Sequence, residues 1–297
     1  MLDHPTACDD AVACKRSLET PLPDALVSPF IPHQQPITIT IDGPVIIGFA
    51  LSSLLVVHFV QPLHSEIIIA VVAVISLIYH DYRNYLNLGP GGVPSTFRGY
   101  LEVSWFRLWS LRDLFTPPTT NSTVTPPSGI LKKQPLPHRA GPRPGVAGVI
   151  PQRQLDQRGP DDIYMGLRQL VENLAAAHPT RLAADRSCFE KHSLGLFARH
   201  PINETCQGEI LHIHSSDRSM HMNLHPEDIK VVLEKGWGQR HPLAKKAWFG
   251  PLPVPETFVL IYAPRDEEEL RIACRIIEAA VWFVMTEEIR IEAAPKN

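Results

Sequence analysis

The chain has 297 residues, 44% of them apolar and 20% charged, with a formal net charge of −3. That is enough apolar material for one large or two small globular domains. Near-balanced charge without a basic stripe or a reader motif excludes a nucleic-acid footprint. The five cysteines, Cys8, Cys14, Cys188, Cys206 and Cys274, are odd in number and lack CxxC spacing. Neither a disulfide framework nor a zinc ribbon is therefore expected, and a reducing compartment fits. No Ser-His-Asp elbow, P-loop or dinucleotide glycine fingerprint occurs, so hydrolase, kinase and Rossmann chemistry have no support.

Residues 1–44 are proline-rich, carry a net charge of −4 and hold no sustained period, which reads as a disordered tail. No basic region leads directly into an apolar run there, which argues against a signal peptide. Residues 45–80 then hold two apolar runs, Val45–Val60 and Ile67–Tyr79, separated by QPLHSE. Spanning a bilayer takes ~20 apolar residues, and each run alone falls short. A membrane hairpin of two short helices, one span from the second run, and a buried soluble hairpin all fit. The break carries Glu66, the only charge between Asp42 and Asp81, and a proline, which favours the hairpin.

Residues 81–115 continue into TFRGYLEVSWFRLWSLRDLF (Thr96–Phe115), where aromatic residues alternate with Arg98, Arg107 and Arg112. Such a helix suits the headgroup layer, although an ordinary core helix fits the same pattern. Basic residues outnumber acidic ones from Arg83 to Arg143, which places this side in the cytoplasm by the positive-inside tendency. The expected location is an intracellular membrane, with lipid as a partner and the carboxy-terminal domain on the cytoplasmic side. Residues 116–160 are rich in Pro, Thr, Ser and Gly and read as a linker.

The domain proper is expected over 161–297. An amphipathic helix opens at Asp161, with Tyr164, Leu167, Leu170, Val171 and Leu174 on one face. Ser187–Ala198 reads weakly as strand, bending near Gly195. Glu256–Tyr262 is a buried strand. Asp266, with Glu269 three residues on, resembles a capping box and opens a terminal helix. Helices and strands interleave irregularly, so the fold class is α+β: a mainly antiparallel sheet with flanking helices, preceded by an amino-terminal membrane helix or helical hairpin.

The densest chemistry lies in Glu209–Leu243, EILHIHSSDRSMHMNLHPEDIKVVLEKGWGQRHPL. Glu209–His214 and Ser219–Leu224 alternate around the turn-forming Ser215-Ser216-Asp217-Arg218, a hairpin signal. That register sets His212 opposite His221, Ile213 opposite Met220 and Leu211 opposite Met222. One face then carries Leu211, Ile213, Met220 and Met222, a core face. The other carries His212, His214, Ser219, His221 and Asn223, and alternation puts Glu209 away from His212. Pro226, Glu227 and Asp228 start a helix that Gly236 ends as a left-handed cap. The loop GWGQRHPL offers Trp237 as a flat wall, Arg240 as an anion clamp and His241 as a further imidazole.

Three readings of the histidines stay open: a solvated polar face, a metal site, and a cofactor-free acid/base pocket. No HExxH motif and no carboxylate at ligand spacing favours the metal.

EILHIH, SMHM, EKGWGQRHPLA and IYAPRDEEE resemble the fungal luciferase family, as do HDYRNYLNLGP, FRGY and GPRPGVAGVIPQRQ upstream and in the same order. The resemblance spans about residues 65–290. It implies oxidation of a hydroxylated hispidin-type pyrone by molecular oxygen, with no light emission implied for any one member. On that reading His212, His214, His221 and His241 supply base and donors, while Trp237, Arg240, Ser219 and Asn223 bind substrate. The only co-substrate would be oxygen, with no metal or organic cofactor.

Overall fold

The computed structural model describes residues 43–59, 63–119, 124–203, 205–247, 250 and 252–291. The tail read over 1–44 falls outside these except for its last two residues, as does the start of the break between the apolar runs.

Two apolar helices come first: α1 (Gly43–His58) and α2 (Leu63–Asn87). They pack antiparallel, with His58 Nδ1 2.9 Å from Glu66 Oε1 at one end and Gly43 beside Leu77 at the other. The second helix outruns its predicted Ile67–Tyr79. Its Ser65–Asn87 stretch, 23 residues holding an 18-residue window of mean hydropathy 1.6, is long and apolar enough to cross a bilayer, whereas α1 is shorter. Apolar side chains along both, such as Phe49, Leu55, Ile68 and Ile75, are exposed. Helix α3 (Phe97–Leu108) begins at Thr96, whose hydroxyl caps Gly99 N. It buries Tyr100 and Val103 in a small cluster with Tyr85, Val93, Val149 and Leu243, while Phe97, Leu101, Trp105 and Leu108 stay exposed.

Within 116–160, Leu131 and Leu136 are buried in the main core, and β1 (Val146–Ala147) pairs with β2 (Arg153–Gln154). Asp228 holds this segment down by accepting from Ile130 N and Leu131 N. A side chain at Gly129 would collide with the Asp228 carboxylate, so the close approach requires glycine there.

A six-stranded, wholly antiparallel sheet of order β3-β4-β5-β6-β8-β7 forms the domain. Its strands are β3 (Leu182–Arg186), β4 (Leu194–Ala198), β5 (Glu209–Ile213), β6 (Met220–Asn223), β7 (Gly238–Arg240) and β8 (Phe258–Ile261). Strands β5 and β6 pair in the register read from the sequence, Leu211 with Met222, His212 with His221 and Ile213 with Met220. The hairpin at 182–198 differs: the turn is Ser187–Ser193, and Gly195 lies inside β4.

Helices α4 (Asp161–Ala177) and α6 (Glu267–Met285) cover the apolar face, burying Leu167, Val171, Ile277 and Val284 against Leu211, Ile213, Met220 and Met222. Helix α5 (Pro226–Glu234) starts at Pro226, and Gly236 follows it with φ 79° as expected. Asp266 caps α6 through Glu269 N, but Glu269 reaches back to Arg265 N and the Arg265 guanidinium. Arg265 is thus a helix-flanking ion-pair partner.

One expectation is overturned outright. Cys188 and Cys206 form a disulfide, with Cα atoms 6.0 Å apart. Eighteen residues separate them, too many for a local motif to reveal, but the antiparallel return of β4 onto β5 brings the two loops together. Cys274 is free and buried.

Candidate functional site

The face of the sheet opposite α4 and α6 is not solvated. His212, His214 and His221 are all at most 4% exposed, which removes the reading of them as a water-facing polar row. Their rings crowd together, with centroids 5.1 Å apart for His212 and His214, 5.2 Å for His212 and His221, and 4.7 Å for His214 and His221. His221 Nδ1 stands 3.0 Å from His214 Nε2 and 3.3 Å from His212 Nε2. The loop after β7 folds His241 over the same group, 5.3 Å from the His221 ring. Phe258 on β8 stacks on His221 at 5.0 Å and 18°.

Each ring is oriented by a partner on its far side. His212 Nδ1 lies 2.6 Å from Glu209 Oε1. His214 Nδ1 donates to Ser219 Oγ at 2.9 Å and to Asp217 Oδ1 at 3.2 Å. His221 Nε2 meets Gln152 Oε1 at 2.9 Å. His241 is held differently: its Nδ1 accepts from Leu243 N at 3.1 Å, and its ring bonds to the backbone of Val149.

Glu209 reverses an expectation. Strict alternation sends it to the face away from His212, but the β4–β5 register slips between Leu196 and Phe197, so that Phe197 pairs with Glu209 and Ile210 is skipped. A bulge of this kind re-aims a side chain. The buried carboxylate therefore joins the histidines and also accepts from Ser187 Oγ, Cys188 N and Phe189 N.

Two further carboxylates complete the surround. Asp217, read from sequence only as a turn residue, accepts from Ser219 N, Ser219 Oγ and Gln154 N. Glu190 pairs with the buried Arg153, bonds to Ser193 Oγ and lies 3.9 Å from His214 Nε2. Arg153 also approaches Asp217, at 3.9 Å.

The electrostatics follow from burial and this pairing. Burial pushes the His214, His221 and His241 pKa values down, His241 to about 3, and for His221 the neighbouring imidazoles push the same way. Burial would raise Asp217, yet hydrogen bonds from His214 and Ser219 and the charge of Arg153 hold it at about 2. Glu190 is likewise held low against its burial. The Arg153 guanidinium, always protonated, is the lasting counter-charge for both carboxylates.

The four histidines line a cavity of about 1010 Å³, with Val149, Phe189 and Phe258 among its apolar walls and Arg153, Lys191, Lys245 and Lys246 as its cations. Pockets for small organic molecules run to roughly 300–1,000 Å³, so this one has room for a multi-ring molecule. Gly92 lies against the loop that carries Glu190, where a side chain would meet the Phe189 carbonyl.

The other residues picked from sequence lie elsewhere. Trp237 is buried in the main core and donates its indole N–H to Pro137 O at 2.7 Å. Arg240 bonds to the carbonyls of Ala244, Thr116 and Glu256, so it ties loops together. Asn223 bonds to Glu209 O and Thr257 Oγ1. Ser219 supports His214 from behind. None of these four lines the cavity. Gln152, Arg153, Glu190, Glu209 and Asp217 had no role from sequence. The first two fall in the quoted GPRPGVAGVIPQRQ segment, the one signal that could have found them.

A ligand-sized cavity floored by buried imidazoles and edged by the buried Glu190, inside an α+β domain, has the make-up of an acid/base or metal-binding pocket. The luciferase-domain pattern matches residues 207–280. The luciferase of Neonothopanus nambi is 32% identical over 238 residues, covering 73% of this chain and 85% of the relative. The luciferase of Armillaria mellea is 32% identical over 240 residues, with the same coverage. No solved structure matches. The chain belongs to the fungal luciferase family.

Proposed function

We propose that the protein is a membrane-anchored, luciferase-like oxygenase that acts on a hydroxypyrone or related polyketide-type small molecule with molecular oxygen. The observation that carries this reading is the convergence of four buried imidazoles on one ligand-sized cavity, in a chain related to luciferases. An acidic enol entering the cavity would pass its proton to a bare imidazole nitrogen. The enolate left behind is electron-rich enough to add oxygen, with Phe258, Phe189 and Val149 keeping water from the product peroxide. Light emission is not part of the proposal.

Anchoring is supported by the exposed apolar helix α2 and by the outward Phe97, Trp105 and Leu108 of α3 beside it. The basic residues after α2 favour the cytoplasmic side of an intracellular membrane for the domain. The Cys188–Cys206 bridge pulls toward an oxidising compartment. Protease accessibility of a carboxy-terminal tag in intact vesicles decides between the sides.

The activity test is oxygen uptake by the purified full chain in detergent micelles, given a 3-hydroxyhispidin-like pyrone. Turnover that falls by roughly 10²–10⁴-fold in His221→Ala, the usual weight of a general base, supports the reading. Tight pyrone binding without uptake would instead make the protein a membrane-tethered binding domain.

A further inference from the structure

We infer that His212 Nε2, His214 Nε2 and His221 Nδ1 form a binding site for one divalent first-row transition-metal ion, open toward the cavity. The inference revises the base of the oxygenase reading, since an ion held by these three nitrogens leaves none bare to take the enol proton; the site itself does not rest on that reading.

The first ground is spacing. Ligand atoms of the three histidines all lie within 4.8 Å of one another, and His221 Nδ1 is 3.0 Å and 3.3 Å from the other two. With metal–nitrogen bonds of roughly 2.0–2.1 Å, ligands at tetrahedral or octahedral angles stand roughly 2.9–3.4 Å apart. The two separations from His221 Nδ1 fall in that range.

The second ground is the direction of the lone pairs. His212 Nδ1 faces the Glu209 carboxylate, and His214 Nδ1 faces Asp217 and a Ser219 oxygen whose own proton goes to Asp217. Both rings therefore carry their proton on Nδ1, and both Nε2 atoms are bare. His221 Nε2 faces Gln152 Oε1, which puts its proton on Nε2 and leaves Nδ1 bare as well. Three bare nitrogens crowded together in this way repel unless a cation sits between them. Turning the Gln152 amide over would allow a proton on His221 Nδ1, but that proton serves only one of the two nitrogens facing it.

The third ground is the supporting shell. Metal-bound histidines commonly give their other N–H to a carboxylate or carbonyl, and here Glu209, Asp217 and Gln152 take those places. The sequence-based expectation of no metal rested on the lack of a nearby carboxylate, and the structure supplies three. Glu190, 3.9 Å from His214 Nε2, is within reach as a further oxygen ligand. His241 is excluded, since both of its nitrogens are engaged with backbone. Imidazole donors suit zinc, iron, copper and nickel.

The test uses the full chain in micelles, stripped with chelator and reloaded with Zn²⁺, or with Co²⁺ as a visible reporter. The expected result is one ion per chain, with the d–d absorption of nitrogen-bound Co²⁺ and a higher melting temperature. His214→Ala and His221→Ala should each weaken binding by more than 100-fold, and His241→Ala should leave the Co²⁺ spectrum in place. Glu209→Gln, which touches no ion, should weaken affinity by roughly 10–100-fold, and it still decides the matter if the histidine variants do not fold. Failure of the stripped wild type to take up Zn²⁺, Co²⁺, Fe²⁺ or Cu²⁺ at unit stoichiometry would overturn the site, as would full affinity in the Glu209→Gln variant. Oxygen uptake by a protein that binds no ion would overturn the metal and leave the oxygenase. A bound ion without uptake would support the metal site and remove the oxygenase reading.

Discussion

Glu209 and His212 are three residues apart on one strand, yet Glu209 Oε1 lies 2.6 Å from His212 Nδ1, because a bulge at Ile210 turns Glu209 to the histidine face of the sheet. The same carboxylate anchors the Ser187–Phe189 loop through Ser187 Oγ and two backbone amides. Glu209→Gln keeps the shape but removes the charge and sets an amide N–H against one of these donors. Stability should fall by about 1–3 kcal/mol, the cost of an unsatisfied buried group. Melting curves of the purified variant check this; an unchanged midpoint would mean the loop is held by other contacts.

Met222 tests the apolar face of the same hairpin. It is fully buried in the main core and pairs with Leu211 on one side and Val259 on the other. Met222→Asp would bury an unpaired charge there, a change of the kind that costs more than about 4 kcal/mol. The variant should be recovered only as aggregate. Wild-type yield and melting behaviour would show that this face is not core.

Asp228 predicts a pH dependence. Burial raises its pKa to about 6, outweighing the hydrogen bonds from Leu131 N and Ile130 N. A raised folded-state value means that stability is fully present below the unfolded value of about 3.9 and is lost as pH rises through about 6, by about 3 kcal/mol in all. Melting temperatures from pH 4 to 7 should fall more steeply in the wild type than in Asp228→Asn. Parallel curves would show that the two amides keep the group ionised throughout.

The cysteines give a chemical prediction. Burial, and then Glu278, push the Cys274 thiol up to about 12, so it stays protonated and out of reach of alkylating reagents. Peptide mass spectrometry after iodoacetamide at pH 8 should find Cys274 unmodified until denaturant is added. Cys188 and Cys206 should appear as one cross-linked pair. Native alkylation of Cys274 would contradict the packing of α6.

What the sequence disclosed follows the range of the forces involved. The β5–β6 register, the Asp266 cap and the Pro226 start rest on neighbours within a few residues, and all are visible as alternation or capping chemistry. Glu209 was misplaced because a single skipped residue, Ile210, inverts the alternation, and nothing in EILHIH marks it. Arg153 and Gln152 arrive from a segment that looks like linker, since its polar side chains find their partners far away in sequence. Trp237 and Arg240 have the composition of a binding loop, but the adjoining backbone consumes both.

The edge of the sheet at β7 has a bearing on how the protein can be divided. Leu111 N donates to Pro242 O, and Arg240 N donates to Leu114 O, so the stretch leaving α3 runs hydrogen-bonded beside the outermost strand. An uncovered strand of this kind is a template for another chain. A fragment beginning at 161 would lose that cover, along with Gln152 and Arg153, and should self-associate through β7 as filaments or domain-swapped pairs. Soluble pieces for crystallography should therefore be cut before α3, at the end of the apolar helices.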